Sequence, residues 1–256
     1  MLINNKFSSP NCAKRQELIE YVILHFTELS FKDALDRLCD PASEVSAHYI
    51  IKENGEIFQL VEDQKVAWHA GVSSWHGKDK INQNSIGIEL DNLGDREFSE
   101  VQMRSCLKLC SFLAKEYNIP KENFIGHSDI APERKIDPGI FFDWKLLHEK
   151  GFGIWHGLDF SSVNIDLYKI GDVGEGISDI QTKLKKIGYN IEITGIFDQQ
   201  TNYVSRAFQV KFCPHVIEEL GLAYYNKLDS DYSWNLSADN ALNKMVHKLL
   251  WHRHVS

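Results

Sequence analysis

A series of short apolar runs in the first 150 residues constrains the fold more than any other feature of the chain. The runs lie at residues 21–24, 48–52, 56–61, 85–90 and 124–125. Runs of this length and composition are typical of strands in a covered sheet. Asn54-Gly55 separates the second run from the third, and such a pair supplies the positive φ angles of a tight hairpin turn. The sequence therefore predicts a sheet that contains one hairpin.

Amphipathic helices are predicted between these strands. Ser30 is predicted to be the N-cap of the first helix, whose apolar stripe is formed by Phe31, Ala34, Leu35 and Leu38. Residues 99–117 form the second, with Ser99 as the N-cap and Gln102 in place to complete a capping box. A third, short helix is predicted at residues 141–150. This alternation predicts an α/β fold in which helices flank a mixed central sheet.

The chain changes character after residue 150. Residues 151–169 show no sustained periodicity and are predicted to be a linker. From residue 170 onward, three amphipathic stripes separated by turns predict a small all-α three-helix domain. The predicted organisation is therefore one domain at 1–150, a linker at 151–169 and a helical domain at 170–256.

Composition and charge narrow the classes of partner. The formal net charge of -8 argues against nucleic acid, whose phosphates are bound by basic surfaces. No apolar run approaches the roughly 18 residues of a membrane span, and residues 1–16 lack the apolar core of a signal peptide. The five cysteines match no zinc ribbon or redox motif, so we expect free thiols that pack in the core.

Residues 126–139 carry the densest group of chemically active side chains. Two prolines and two glycines disfavour a long helix or strand, so the segment is predicted to be a loop. His127 and Asp137 in this loop are potential zinc ligands. His25, at the end of the first apolar run, is the best-placed candidate for a third ligand. Three such ligands and one water make a hydrolytic site, because zinc lowers the pKa of its water from about 15.7 toward about 7.

Two further residues would complete such a site. Glu89, in the run at 85–90, is a candidate for the base that takes a proton from the water. Lys135, two residues before Asp137, is a candidate partner for the developing oxyanion. The spacing matches none of the common zinc signatures. An alternative therefore stays open in which the two histidines belong to the core and Lys135 and Asp137 form a surface ion pair.

Several stretches resemble one known family in the same order along the chain. They are residues 22–27, 46–51, 67–71, 74–75, 85–90 and 126–139. The family is that of the zinc-dependent N-acetylmuramoyl-L-alanine amidases of the amidase-2 type, which are related to T7 lysozyme and the peptidoglycan recognition proteins. Gly188-Tyr189 and residues 194–198 resemble a type 1 peptidoglycan-binding domain. The combination is most similar to the AmiD branch of the family.

The resemblance implies a role for each candidate residue. His25, His127 and Asp137 would bind one Zn²⁺, Glu89 would activate the water, and Lys135 would stabilise the oxyanion or position the carbonyl. The reaction would be hydrolysis of the amide between N-acetylmuramic acid, or its anhydro form, and L-alanine of the stem peptide. It would serve cell-wall turnover or recycling. The residues implied in binding the peptidoglycan substrate are His48, Trp68, His69 and Trp75.

Two alternatives accompany this interpretation. A non-catalytic recognition module is the first, but such proteins typically lack a zinc ligand, and all three ligands are present here. The second concerns location. A wall-binding domain favours the cell envelope or periplasm, whereas the lack of a visible signal peptide favours the cytoplasm. A chain without residues 170–256 is expected to bind sacculi more weakly and to keep its cleavage of soluble muropeptides.

Overall fold

The computed structural model describes residues 1–160, 165–221, 227–228 and 230–255, with side chains of the last helix described to residue 249. Its strands are β1 (Ile3–Asn4), β2 (Cys12–Lys14), β3 (Tyr21–Phe26), β4 (Tyr49–Ile51), β5 (Ile57–Gln59), β6 (Lys65–Ala67), β7 (Ser74–Trp75), β8 (Lys78–Asp79), β9 (Ser85–Leu90), β10 (Phe124–Gly126), β11 (Asp166–Tyr168) and β12 (Trp234–Asn235). Its helices are α1 (Phe31–Cys39), α2 (Glu100–Tyr117), α3 (His127–Ile130), α4 (Trp144–Glu149), α5 (Glu175–Ile187), α6 (Gln199–Phe212), α7 (Pro214–Leu220) and α8 (Leu236–Val255).

The first compact unit comprises Met1–Ser73, Asp79–His127 and Asp137–Gly153 and is organised around a mixed six-stranded sheet. The strand order is β1-β5-β4-β9-β3-β10, and the β4–β5 pair alone is antiparallel in this sheet. The central strands are apolar and inaccessible to solvent, as the short apolar runs predicted. Their buried side chains include Val22, Ile23, Leu24, Ile86 and Ile88. This confirms the predicted α/β class.

The predicted N-caps of α1 and α2 are formed. Ser30 accepts a hydrogen bond from the amide of Asp33, and Ser99 accepts one from the amide of Gln102. The Gln102 side chain, however, does not close a capping box. Its amide group donates to the carbonyls of Ile51 at 2.9 Å and Asp91 at 3.1 Å, where it ties α2 to two strand ends. The capping box was a wrong prediction because buried carbonyls at strand ends need donors as much as a helix terminus does.

The hairpin between β4 and β5 turns differently from the prediction. Gly55 has a positive φ of 85°, whereas Asn54 is not among the residues with positive φ. The Gly55 amide donates to the Lys52 carbonyl at 2.8 Å, so the turn begins one residue earlier than a turn with Asn54-Gly55 at its centre would. A Cβ at Gly55 would also lie 2.6 Å from Cγ1 of Val101. Glycine is therefore required here by both the backbone angle and the approach of α2.

The second compact unit comprises Ser74–Lys78, Ser128–Ile136 and Ile154–Ser256. The three long helices α5, α6 and α8 supply its core, which confirms the predicted helical region. The buried side chains include Ile177, Ile180, Leu184, Val204, Phe208 and Leu242. The short helix α7 and the antiparallel pair β11–β12 were not predicted. Each unit includes segments from distant parts of the chain and is defined by contacts in the folded protein. The predicted domain boundaries at residues 150 and 170 therefore stay a prediction.

Two predictions from composition can be compared with the structure. All five cysteines are free thiols, and Cys106, Cys110 and Cys213 are buried as expected, while Cys12 and Cys39 are partly exposed. Within the described residues, no helix combines the length and the hydropathy needed to cross a membrane.

Candidate metal centre

Three neighbouring parallel strands bring the candidate site together. His25 on β3 is paired in register with Glu89 on β9. Leu24 is paired with Gly126 on β10, so His127, the next residue, follows at the level of His25. Residues at the carboxyl ends of parallel strands meet along one edge of a sheet, which is where open α/β folds bind ligands. The sheet thus gathers His25, Glu89 and His127 from distant parts of the chain.

The three predicted metal ligands converge. Nδ1 of His25 lies 3.0 Å from Nδ1 of His127 and 2.9 Å from Oδ2 of Asp137. Nδ1 of His127 lies 3.0 Å from the same carboxylate oxygen. All three residues are buried. The alternative in which Asp137 forms a surface ion pair with Lys135 does not fit, because Asp137 is only 7% exposed and contacts both histidines.

These atoms fit a zinc ion. Ligand atoms at about 2.0–2.1 Å from a tetrahedral zinc lie roughly 3.3 Å apart. The observed separations of 2.9–3.0 Å require only a small opening of the cluster. Two nitrogens and one carboxylate oxygen also leave a fourth position for water, as in catalytic rather than structural zinc sites.

The hydrogen bonds of His127 direct the correct nitrogen toward this centre. Its Nε2 lies 3.2 Å from the carbonyl oxygen of Ala70. A carbonyl can only accept, so Nε2 carries the proton and donates it. Nδ1 is then the nitrogen with a lone pair, and it faces His25 and Asp137. The backbone at Ala70 therefore selects the metal-binding tautomer of His127.

A longer relay does the same for His25. The Ser85 hydroxyl donates to the carbonyl of Ile81 at 2.6 Å, so toward His69 its oxygen accepts. Nε2 of His69 donates to that oxygen at 3.1 Å, and Nδ1 of His69 accepts from Nε2 of His25 at 3.1 Å. The lone pair of His25 is left on Nδ1, where the metal would bind. We call this chain, Ser85, His69 and His25, the histidine relay.

The charge states of these groups agree with metal binding. Burial alone would raise the pKa of Asp137, but the adjacent His127 and His25 outweigh it and hold that pKa well below its usual range. Burial, reinforced by His25, lowers the pKa of His69 well below its usual value. Asp137 is thus anionic, as a carboxylate that binds a metal must be, and His69 is the neutral ring that the relay requires.

Glu89 and Lys135 occupy different surroundings from the ligands. Glu89 is partly buried on β9, beside His25. Lys135 is partly buried in the segment Ser128–Ile136, which belongs to the second unit. Both keep some contact with solvent, as groups that act on a substrate must. Their assignments as base and oxyanion partner stay predictions.

The predicted substrate-binding residues are dispersed. His48 is fully buried, its Nδ1 accepts from the Gly87 amide at 3.0 Å, and burial together with Arg15 lowers its pKa to about 3. Trp75 is 4% exposed, and its ring packs edge-on against Tyr189 at 5.1 Å. Trp68 is partly exposed, and His69 belongs to the histidine relay. Their roles toward substrate stay predictions, and burial favours an indirect role for His48.

Sequence reasoning missed Ser85 and the Ala70 carbonyl as supports of the ligands. A serine that opens an apolar strand is a weak signal by itself. Ser85 lies 16 residues from His69 along the chain, and Ala70 lies 57 residues from His127. Only the folded sheet shows these pairings.

Comparison with known proteins identifies the family. Residues 14–140 match the family described as N-acetylmuramoyl-L-alanine amidase, and residues 173–216 match a peptidoglycan binding domain. The chain is 33% identical over 215 residues to the N-acetylmuramoyl-L-alanine amidase AmiD of Escherichia coli K12, which covers 77% of this chain and 75% of AmiD. It is 46% identical over 102 residues to the 1,6-anhydro-N-acetylmuramyl-L-alanine amidase AmpD of Haemophilus influenzae, across 40% of this chain and 55% of AmpD.

Solved structures agree with this assignment. The complex of Escherichia coli AmiD with the substrate anhydro-N-acetylmuramic acid-L-Ala-D-gamma-Glu-L-Lys matches with a TM-score of 0.70 at 26% identity, over 95% of this chain and 91% of that one. AmpDh3 of Pseudomonas aeruginosa, in complex with an anhydromuramic pentapeptide, matches with a TM-score of 0.69 at 26% identity, over 90% of this chain and 92% of that one. The chain belongs to the amidase-2 family of N-acetylmuramoyl-L-alanine amidases.

Proposed function

We propose that this amidase uses one zinc ion, held by His25, His127 and Asp137, to cleave the bond between N-acetylmuramic acid, or its anhydro form, and L-alanine. The convergence of these three buried side chains, with His25 and His127 at the ends of neighbouring parallel strands, carries the proposal. The muropeptides bound to AmiD and AmpDh3 support the substrate class. When bound, zinc would polarise the scissile carbonyl and acidify a water molecule.

The residues of the chain would then move protons and hold charge. The carboxylate of Glu89 takes a proton from the water as its oxygen attacks the lactyl carbonyl carbon. Nζ of Lys135 faces the carbonyl oxygen as negative charge develops there. Glu89 returns the proton to the amide nitrogen, the carbon–nitrogen bond breaks, and the products are a lactyl carboxylate and the amino group of L-alanine.

The helical region is proposed to bind the cell wall. Residues 173–216, which match a peptidoglycan binding domain, support this role. A wall-binding domain has its target in the envelope, so we propose an envelope location, with the cytoplasm as the alternative that cell fractionation distinguishes. We retain 1–150, 151–169 and 170–256 as the proposed catalytic domain, linker and wall-binding domain.

Product analysis tests the function. Purified full-length protein is incubated with matched anhydro and non-anhydro muramyl tripeptides, and the products are identified by mass spectrometry. We expect free tripeptide from at least one substrate, its loss after chelation and its return with Zn²⁺. Glu89→Gln is expected to retain zinc and to lower kcat by about 10²-fold or more, because the base is removed. Full activity of Glu89→Gln would refute the assigned base, and undiminished cleavage by metal-free protein would refute the zinc mechanism.

A further inference from the structure

We propose that Tyr189, Arg206 and Lys211, three side chains of the helical region, are positioning residues that hold the segment between the metal ligands His127 and Asp137. That segment, Ser128–Ile136, belongs by its contacts to the second unit, while its ends continue directly into the two ligands. The inference rests on the proposed zinc site. It assigns the helical region a part in building the metal centre, in addition to wall binding.

Asp129, two residues after His127, is the first anchor point. Lys211 donates to its Oδ2 at 2.6 Å, and Tyr189 donates its hydroxyl to Oδ1 at 2.7 Å. Asp129 is 1% exposed, Tyr189 2% and Lys211 3%. A buried charge is costly unless it is paired and hydrogen-bonded, so these partners strongly favour one position of Asp129. The turn α3, which begins at His127, is held through this residue.

Arg206 supplies the second anchor point, nearer to Asp137. Its guanidinium donates to the carbonyls of Pro132 and, at 3.2 Å, Lys135. It also donates to the carbonyl of Leu228 at 3.0 Å, and Arg206 is 1% exposed. A planar group with five donors can bind several carbonyls in a fixed arrangement. The backbone two residues before Asp137 is therefore fixed by a side chain that lies 71 positions further along the chain.

The segment needs such external support. After α3 ends at Ile130, residues 131–136 form no helix or strand that could hold them by regular backbone bonds. Catalytic metal ligands must be held within about 0.5 Å of their productive positions. The anchors at Asp129 and at the carbonyls of Pro132 and Lys135 hold the segment near both of its ends. The prediction that a chain lacking residues 170–256 keeps its activity on soluble muropeptides therefore conflicts with this inference.

Tyr189 lies in the stretch that resembles a peptidoglycan-binding domain and also makes structural contacts. The Gly188-Tyr189 pair resembles part of the peptidoglycan-binding motif, yet Tyr189 is buried between Asp129 and Trp75. A Cβ at Gly188 would lie 2.4 Å from Cε2 of Trp75, so glycine permits this packing. The end of α5 thereby gathers both short segments, Ser74–Lys78 and Ser128–Ile136, that join the second unit.

Zinc affinity of the full-length protein tests the inference. Lys211→Met removes one anchor, and Tyr189→Phe removes only a hydroxyl and serves where Lys211→Met does not fold. Lys183→Met is the matched control, because Lys183 pairs with Asp179 inside α5. Zinc dissociation constants come from competition with a chromogenic chelator, and the visible spectrum of the Co²⁺-substituted protein reports ligand geometry.

We expect both anchor variants to raise the zinc dissociation constant by about 10-fold or more, as for other groups that orient metal ligands. Their Co²⁺ spectra should shift, Lys211→Arg should restore much of the affinity, and Lys183→Met should resemble wild type. Unchanged zinc affinity and Co²⁺ spectra in folded Lys211→Met or Tyr189→Phe would overturn the anchoring. A wild-type protein that binds no zinc would instead refute the metal site itself, and the inference with it.

Discussion

At the scale of single residues, the site depends on which nitrogen of each histidine carries a proton. His127 is set by one carbonyl acceptor, whereas His25 is set through His69 and Ser85. A metal-ligating histidine whose other nitrogen has a fixed partner holds its orientation and binds more tightly. His69, which the resemblance placed in the substrate groove, therefore has a direct structural reason to affect zinc binding.

Replacement of His69 tests the histidine relay. His69→Phe keeps an aromatic ring but removes the acceptor for Nε2 of His25, so we expect the zinc dissociation constant to rise about 10- to 100-fold. His69→Gln, whose carbonyl oxygen can accept, should recover part of the loss. His76→Ala, at an exposed histidine, is the control. Wild-type zinc affinity in His69→Phe would contradict the relay.

At the scale of elements, one face of β9 organises the centre. Ser85, Gly87 and Glu89 alternate along the strand and so share a face. Ser85 binds His69, the His69 ring lies over Gly87, and Glu89 lies beside His25. The glycine is required because a Cβ there would lie 2.4 Å from Cγ of His69. β9 thus provides the hydroxyl that binds His69, the space that the His69 ring occupies and the proposed base.

Gly87→Ala tests that arrangement. The added methyl group must displace His69, which we expect to cost about 1–3 kcal/mol of unfolding free energy and to weaken zinc binding. Gly174→Ala, where a Cβ meets nothing within 4 Å, is the matched control. Denaturant unfolding of the metal-free proteins and chelator competition measure both effects. A Gly87→Ala protein with wild-type stability and zinc affinity would contradict the packing of His69 on β9.

Local sequence signals predicted the elements well and their distant partners poorly. Apolar runs predicted the strands, and Ser30 and Ser99 predicted the helix starts. These signals succeed because the interactions behind them lie within a few residues of each other in the chain. Gln102 was assigned to a local capping box and Asn54 to the centre of a local turn. Gln102 instead binds the carbonyls of Ile51 and Asp91, and Asn54 does not have the positive φ of such a turn. Lys211 lies 82 residues from Asp129, and no local pattern in the sequence links the two.

At the scale of the whole molecule, the candidate metal site is assembled only in the folded chain. His25 lies 102 residues from His127 and 112 residues from Asp137. The strand ends bring the histidines together, and the segment Ser128–Ile136 carries the chain on to Asp137. Lys211 and Arg206, in the region that matches a peptidoglycan binding domain, anchor this segment between the proposed metal ligands.

Anomalous diffraction at the zinc absorption edge tests the central claim most directly. From crystals of the full-length protein grown with Zn²⁺, we predict one strong peak per chain. It should lie about 2.0–2.1 Å from Nδ1 of His25, Nδ1 of His127 and Oδ2 of Asp137, with a water as the fourth ligand. A zinc ion bound by other atoms, or the lack of a peak at this cluster, would contradict the account.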